Sequence, residues 1–386
     1  MNKKTQTLKE YQLFNDTITS INNIGIVWYK YNSEGGGDIH FKRLIPIWEL
    51  SGINVSILRP IIGVEFTFLS VLKLTIKSIF LKMDKFQDVK KYDIILSVSP
   101  YPPDVLLALR LSHKYKKPIA VYIHHITPSI LINPFRRGFF RVLLNISYIS
   151  VLISLLSLFK VPIFLDNPST LNKHSIKVFP DFDAIPQTAN KDILIQEPCI
   201  GYDICYIGRV ENHKGVEDII KVAEILNKKY SISPRIIIAG KGKENYVSKI
   251  KKMIAKLDLS DNITLKGYIS ENEKYDLLRN SKVFLFLSYE EGWSISVMEA
   301  ASVGTPIVAY SLPAYYYLKG NYFSVPIGDI NGCAEKLRQV FNDYSSAKNI
   351  AIKAKECIEI FSYDFIAKQQ LVFFKKTIKD YADNNL

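Results

Sequence analysis

The stretch SYEEGWSISVMEAASVGTPIVAY, residues 288–310, decides how the chain is read. An apolar run, 283–287, leads into it and ends at a polar turn. Gly292 lets the backbone come close to whatever lies there. Ser294 is placed to cap a helix running to about Val303, with Gly304 as its stop. A second apolar run, Ile307 to Tyr310, follows. Strand, turn, helix and strand within so short a span describe one step of a parallel α/β sheet.

Two glutamates in this stretch, Glu291 and Glu299, stand eight positions apart. A helix start offers free N–H groups and partial positive charge, which suits a phosphate. A carboxylate in the turn before it would repel that phosphate, so Glu291 is expected to face a neutral group rich in hydroxyls. Glu299, read as two turns into the helix among Met298, Ala300 and Ala301, needs hydrogen-bond partners if buried. Sugar hydroxyls would serve both. Glu290 reads as solvated surface.

The same rhythm extends in both directions. Upstream, 203–207 is a strand running into GRVENHKG, and a helix follows over 216–229. Strands at 235–239 and 263–265 run into Gly240-Lys241-Gly242 and Gly267, with helices at 244–257 and 271–279 between and after them. The first half repeats the pattern. A strand at 24–28 precedes the loop Gly35–Gly37 and a helix over 40–50. Strands at 55–58, 94–98 and 119–123 follow, the last ending on His124 and His125. In open parallel sheets ligands sit beyond the carboxyl ends of the strands. Arg209, Lys214, Gly240, Gly267, Glu291 and Gly292 all fall there. No GxxxxGK[ST] is present, which argues against a P-loop ATPase.

The chain has 386 residues, 48% hydrophobic and 23% charged, enough for two globular domains. Its formal charge of +13 favours anionic partners without choosing among them. The cysteines Cys199, Cys205, Cys333 and Cys357 lack ligand spacing and read as reduced thiols. The polar start, MNKKTQTLKEYQLFND, has no apolar signal core, so a cytoplasmic protein is expected. The uncharged run 142–159 carries serines at 147, 150, 154 and 157, a helical stripe. A buried core helix is the first reading. A helix in a membrane interface is the second, because Phe135, Arg136, Arg137, Phe139, Phe140 and Arg141 precede it. A membrane span is the third. The Pro- and Asp-rich stretch 180–198 reads as the seam between the halves, and the Asp181-Phe-Asp183 pattern within it as interdomain connection.

The ordered set GR…KG, IIIAGKG, ITLKGYIS and EEGWSISVMEAASVGTPIVAY resembles the C-terminal domain of retaining GT-B glycosyltransferases of the family 4 type, with Glu291 to Glu299 fitting a Glu-x7-Glu motif. The likeness covers most of residues 200–310 and extends more weakly to FSYD at 361–364. It implies an α/β GT-B fold, two Rossmann-like parallel-sheet domains facing across a cleft. Residues 1–183 would form the acceptor-side domain and 184–360 the nucleotide-sugar domain, with 361–386 packing back on the first. It implies a metal-independent transferase without cofactor, moving a sugar from a nucleotide-diphosphate donor to a glycan or lipid-linked glycan. The basic-aromatic run before the striped helix adds the expectation of peripheral membrane contact, and the lack of a recognition motif that of no nucleic-acid partner. Arg209 and Lys214 would grip the donor diphosphate, and Gly292, Trp293, Ser294 and Ile295 would offer helix-start contacts. Glu299 would take the ribose and Glu291 the transferred sugar. Gly267 and Tyr268 would line the base pocket, and Gly240 would belong to the donor-binding set. His124 would lie near the sugar, and the loop with Gly36 and Gly37 near the diphosphate. The family commonly has Gly where Ser294 stands, and His125 replaces a frequent aspartate, which leaves open which histidine faces the sugar. A non-catalytic nucleotide-sugar-binding subunit and a nucleotide-sugar epimerase on the same fold are the alternatives.

Overall fold

The computed structural model describes residues 21–31, 36–58, 62–64, 68–123, 202–359, 361 and 363–384, with short pieces at 148, 151–156, 158, 161–165 and 177–178. Gly35, His124, His125, residues 135–147, the segment 180–198 with Asp181 and Asp183, and Cys199 lie outside them. The described residues fall into two compact units. One gathers those within 1–126, 148–181 and 363–386, the other those within 182–362.

The first unit is built on β1 (Asn23–Val27), α1 (Gly36–Leu50), β2 (Asn54–Leu58), α2 (Phe68–Phe80), β3 (Ile94–Ser97), α3 (Pro102–Tyr115), β4 (Ile119–Ile123), β5 (Ile163–Leu165) and β6 (Lys177–Val178). Its strands pair in parallel in the order β2-β1-β3-β4-β5-β6. The runs IILS and IAVYI are buried along their whole length, as strands covered on both faces must be. Gly25 is required in β1: a Cβ there would lie 2.5 Å from the Tyr92 ring. Gly36 and Gly37, expected in a loop, instead form the first two positions of α1. The last helix, Tyr363–Asn384, belongs to this unit. Its Phe374 meets Trp48 of α1 edge to face at 5.5 Å, and its Gln370 lies 3.4 Å from the His40 ring nitrogen.

The uncharged run divides differently from the first expectation. Leu152 and Leu156 are buried, but Val151, Ser154, Leu155 and Leu158 are exposed. Its outer side therefore mixes serine with large apolar groups. Among the described residues no helix is long and apolar enough to cross a membrane.

The second unit contains β7 (Tyr202–Ile207), α4 (Val216–Tyr230), β8 (Ile236–Ala239), α5 (Glu244–Lys256), β9 (Ile263–Gly267), α6 (Glu271–Arg279), β10 (Ser281–Phe286), α7 (Ile295–Ser302), β11 (Ile307–Tyr310), β12 (Phe323–Val325), α8 (Ile330–Asn342) and α9 (Tyr344–Ile358). Its sheet is parallel throughout, in the order β9-β8-β7-β10-β11-β12. The chain builds outward from β7 in one direction, then returns to lay β10 on its other side. Ligands bind at such a switch point, in the crevice beyond the carboxyl ends of the two central strands. Here those ends are followed by Gly208-Arg209 and by the opening stretch.

Candidate functional site

The loop after β7 is held from both sides. Gly208 N–H donates to Ala239 O at 3.0 Å, Val210 N–H to Lys241 O at 2.8 Å, and Gly240 N–H to Gly267 O at 2.6 Å. These bonds fasten the loops after β7, β8 and β9 into one shelf. Gly240 and Gly242 are needed for that approach, since a Cβ would lie 1.8 Å from Gly208 O and 2.5 Å from Val210 O respectively. The two glycines thus have a structural reason in loop packing. Residues Asn212–Lys214 form a single 3-10 turn, and Gly215, at φ 72°, turns the chain into α4. A Cβ on Gly215 would sit 1.8 Å from Leu287 O, so the turn abuts the end of β10 directly. Tyr289 N–H, just past that strand, donates to His213 O at 2.9 Å.

This seam delivers Lys214 to Glu291. Lys214 Nζ lies 2.6 Å from Glu291 Oε1, and the side chains are only 13% and 9% exposed. Residues 77 apart in sequence form a buried ion pair at the switch point. Three phenols sense the carboxylate. Burial first, and then the Glu291 charge, hold Tyr206, Tyr315 and Tyr317 well above the usual tyrosine range. Arg209 stays largely in solvent and donates to Glu211 Oε1 at 2.9 Å. Glu211 also lies 3.4 Å from Nδ1 of the buried His213.

Glu299 is the fifth residue of α7, one turn past its start rather than two. It is buried, and Lys274 Nζ of α6 donates to its Oε1 at 2.5 Å. Lys274 also reaches both oxygens of Glu271 at 2.9 Å. Sequence reading missed Lys274, because nothing in ENEKYDLLR separates it from a solvated helix lysine. Glu290 corrects another expectation: it is buried, not solvated.

The turn into α7 departs from its expected form. Ser294 takes the cap position with φ 67° and ψ 81°, a left-handed conformation, and its side chain makes no cap hydrogen bond. A glycine occupies such a conformation without strain, which explains the residue usual in the family the motif resembles. Trp293 turns into the core. Its Nε1–H donates to Met298 Sδ at 2.7 Å and its ring meets Tyr317 at 4.5 Å. Tyr317 O–H in turn lies 3.1 Å from Trp293 O and 3.3 Å from Ser294 O, bracing the turn. Trp293 can therefore offer a ligand its backbone and not its ring. Gly292 and Ile295 are half-buried on either side. On the shelf's outer edge Tyr268 is exposed, with Lys241 Nζ 4.7 Å above its ring, and Gly267 at φ 72° has open space where a Cβ would point. Among the described residues no group of three His, Cys, Asp or Glu could hold a metal ion.

A two-unit, parallel-sheet α/β chain with this second unit has the GT-B fold, and solved structures agree. A sucrose-phosphate synthase from Thermosynechococcus elongatus superposes with a TM-score of 0.74 at 13% identity, over 93% of this chain and 100% of that one. HepE of Anabaena, solved with UDP and glucose, does so with 0.64 at 16% identity, over 90% of this chain and 98% of that one. Residues 200–357 match the family described as glycosyl transferases group 1. A poly(ribitol-phosphate) alpha-N-acetylglucosaminyltransferase of Staphylococcus aureus (strain COL) is 30% identical over 174 residues, 44% of this chain and 34% of that protein. An O-antigen chain mannosyltransferase of Salmonella typhimurium is 25% identical over 152 residues, 39% of this chain and 40% of that protein. The chain thus spans well under half the length of these curated relatives.

Proposed function

We propose that the protein is a glycosyltransferase that moves a sugar from a nucleoside-diphosphate donor to a glycan or lipid-linked glycan, with retention at the anomeric carbon and without a metal ion. The observation that carries this reading is the buried Lys214–Glu291 pair at the switch point of the second sheet. The match of residues 200–357 and the sugar-transferase names of the relatives support it. So do the UDP and glucose in the HepE structure.

The chemistry follows from charge. Breaking a glycosidic bond to a diphosphate gathers negative charge on the leaving oxygens. Lys214 supplies a compact cation there, and Arg209, exposed beside it in sequence, a planar fork for two phosphate oxygens. The N–H groups opening α7 add partial positive charge. These donors stabilise the charge where it develops, which lowers the barrier to transfer. Glu291 holds hydroxyls of the transferred sugar, and in the free protein it keeps Lys214 in place as its ion-pair partner. Glu299 takes the ribose hydroxyls, its carboxylate fixed by Lys274. Gly267 and Tyr268 border the base, and Gly240 shapes the shelf beside it.

The test is a melting-temperature screen with nucleoside-diphosphate sugars of each base, in EDTA, followed by turnover with lipid-linked and free glycan acceptors. A donor at a hundredfold its Kd adds about 2.7 kcal/mol, or roughly 5–10 °C for a domain of this size. One base is expected to stabilise the protein and its sugar to be transferred in EDTA. Stabilisation by no nucleotide, or turnover only with added divalent metal, contradicts the reading.

A further inference from the structure

On α2, Leu69, Leu72, Ile76, Ile79 and Phe80 follow the spacing of a core-facing helix, yet all five are between 46% and 78% exposed. The buried side of the same helix carries Leu74 and Ser78. The connections β2–α2–β3, β3–α3–β4 and β4–(151–156)–β5 all step in one direction across the sheet. Right-handed crossovers therefore lay α2, α3 and the helical residues 151–156 on one face of the first unit. A shared core confirms it: Leu74, Leu107, Leu111, Leu152 and Leu156 pack together beneath the three. Arg110 of α3 donates to Ser78 O at the end of α2. On the far helix Val151, Leu155 and Leu158 are exposed as well. Two aliphatic stripes thus line one helical layer, whereas water-facing apolar surface is ordinarily scattered.

The charges on this layer have one sign. Lys73 and Lys77 are exposed on α2, which carries no acid. Residues 151–156 carry no charge. The acid of α3, Asp104, is buried and accepts from Tyr29 N–H and Ser99 O–H. The exposed acids that follow α2, Asp84 and Asp88, face Lys114 and Lys91 at 2.5 Å and 3.6 Å. Lysine is depleted and aromatic residues enriched where proteins dock on proteins. Leucine, isoleucine and lysine with a terminal phenylalanine suit the boundary between acyl chains and anionic headgroups, where lysine stems lie along apolar groups and ammoniums reach phosphate.

We propose that this face docks on an anionic lipid surface, with the α2 stripe at the acyl boundary and Lys73 and Lys77 at the headgroups. The proposal stands apart from the sugar-transfer reading and survives its failure.

The test is sedimentation of the full chain with phosphatidylcholine vesicles, pure or with about a third phosphatidylglycerol, at low and high salt. Binding is expected to the anionic vesicles only and to weaken with salt. Lys73→Glu with Lys77→Glu should lower apparent affinity at least about tenfold, and Leu72→Ser with Ile76→Ser by a similar factor. Lys251→Glu with Lys252→Glu, the same charge change on exposed positions of α5, should stay within about twofold. Hydrogen exchange on the unaltered protein should slow in 68–80 and 151–158 when vesicles are added, a readout that needs no variant to fold. Wild type remaining in the supernatant at low salt overturns the proposal. So does an equal loss from the α5 change, which would assign binding to net charge. Self-association abolished by Leu72→Ser with Ile76→Ser, without vesicle binding, would assign the face to a second copy of the chain.

Discussion

Replacing Lys214 with methionine keeps the aliphatic stem and removes the cation from a carboxylate that is 9% exposed. Glu291 would be left among Tyr206, Tyr315 and Tyr317, all neutral at physiological pH. Breaking one side of a buried pair costs about 3–5 kcal/mol, mostly the penalty of an uncompensated charge. For a domain of this size that is a fall of roughly 6–20 °C in Tm. Glu291→Gln, which leaves the ammonium, should cost about as much. The double change removes both charges and should cost well under the sum, a coupling of about 2–3 kcal/mol. Urea unfolding of the four proteins, with calorimetry as the second probe, measures this. Additive single effects, or a Lys214→Met cost below about 1 kcal/mol, would refute the claim that the pair organises the switch point. Glu291→Gln has a further consequence. It frees Lys214, so a nucleoside diphosphate should bind at least as tightly while transfer slows.

Gly215 and Gly267 share a φ of 72°, but only the first is crowded, so Gly215→Ala should abolish folding of the second unit while Gly267→Ala costs about 1–2 kcal/mol in urea unfolding. Stability should fall as pH rises above about 10. Unfolded tyrosines release protons there, whereas burial raises the phenols of Tyr206, Tyr310, Tyr315 and Tyr317 in the fold; each of these four adds a slope of about 1.4 kcal/mol per pH unit, read from Tm between pH 8 and 11. Burial pushes the Cys205 thiol up to about 12 and raises that of Cys333, so iodoacetamide at pH 8 should modify the half-buried Cys357 and spare both; mass spectrometry of the alkylated protein checks it.

The parts of the molecule legible in its sequence are those whose signal is local. Strands such as IAVYI and IIIA are continuous apolar runs because both faces of a parallel sheet are covered, and their ends mark where ligand loops begin. That Lys214 and Glu291 gather at one end of the sheet followed from topology once both were placed after central strands, but their ion pair did not: Glu291 was expected to face neutral hydroxyls and faces an ammonium instead. What escaped depends on contacts far apart in the chain. Glu290 and Glu291 are neighbours of the same chemistry, and only the fold shows that Glu290 is buried and that Glu291 meets Lys214. The partner of Glu299 comes from another helix, 25 residues upstream. The left-handed turn at Ser294 leaves no local mark, since serine is an ordinary helix cap. The α2 stripe has core spacing, and only the fold reveals that its apolar side faces water.

The most direct test of the central claim, that the switch point of the second sheet holds a nucleoside diphosphate with Glu299 on the ribose, is calorimetric titration. UDP, GDP, ADP and dTDP would be titrated into wild type, Glu299→Gln and Lys214→Ala. Losing a hydrogen bond to a charged group costs about 1.5–3 kcal/mol. One nucleotide is expected to bind wild type, and Glu299→Gln to weaken it roughly 10- to 150-fold. Lys214→Ala is expected to act mainly on the rate, by about 10²–10³, with a smaller change in affinity. Nucleotide binding that both variants leave unchanged, or no binding to wild type, would contradict the account.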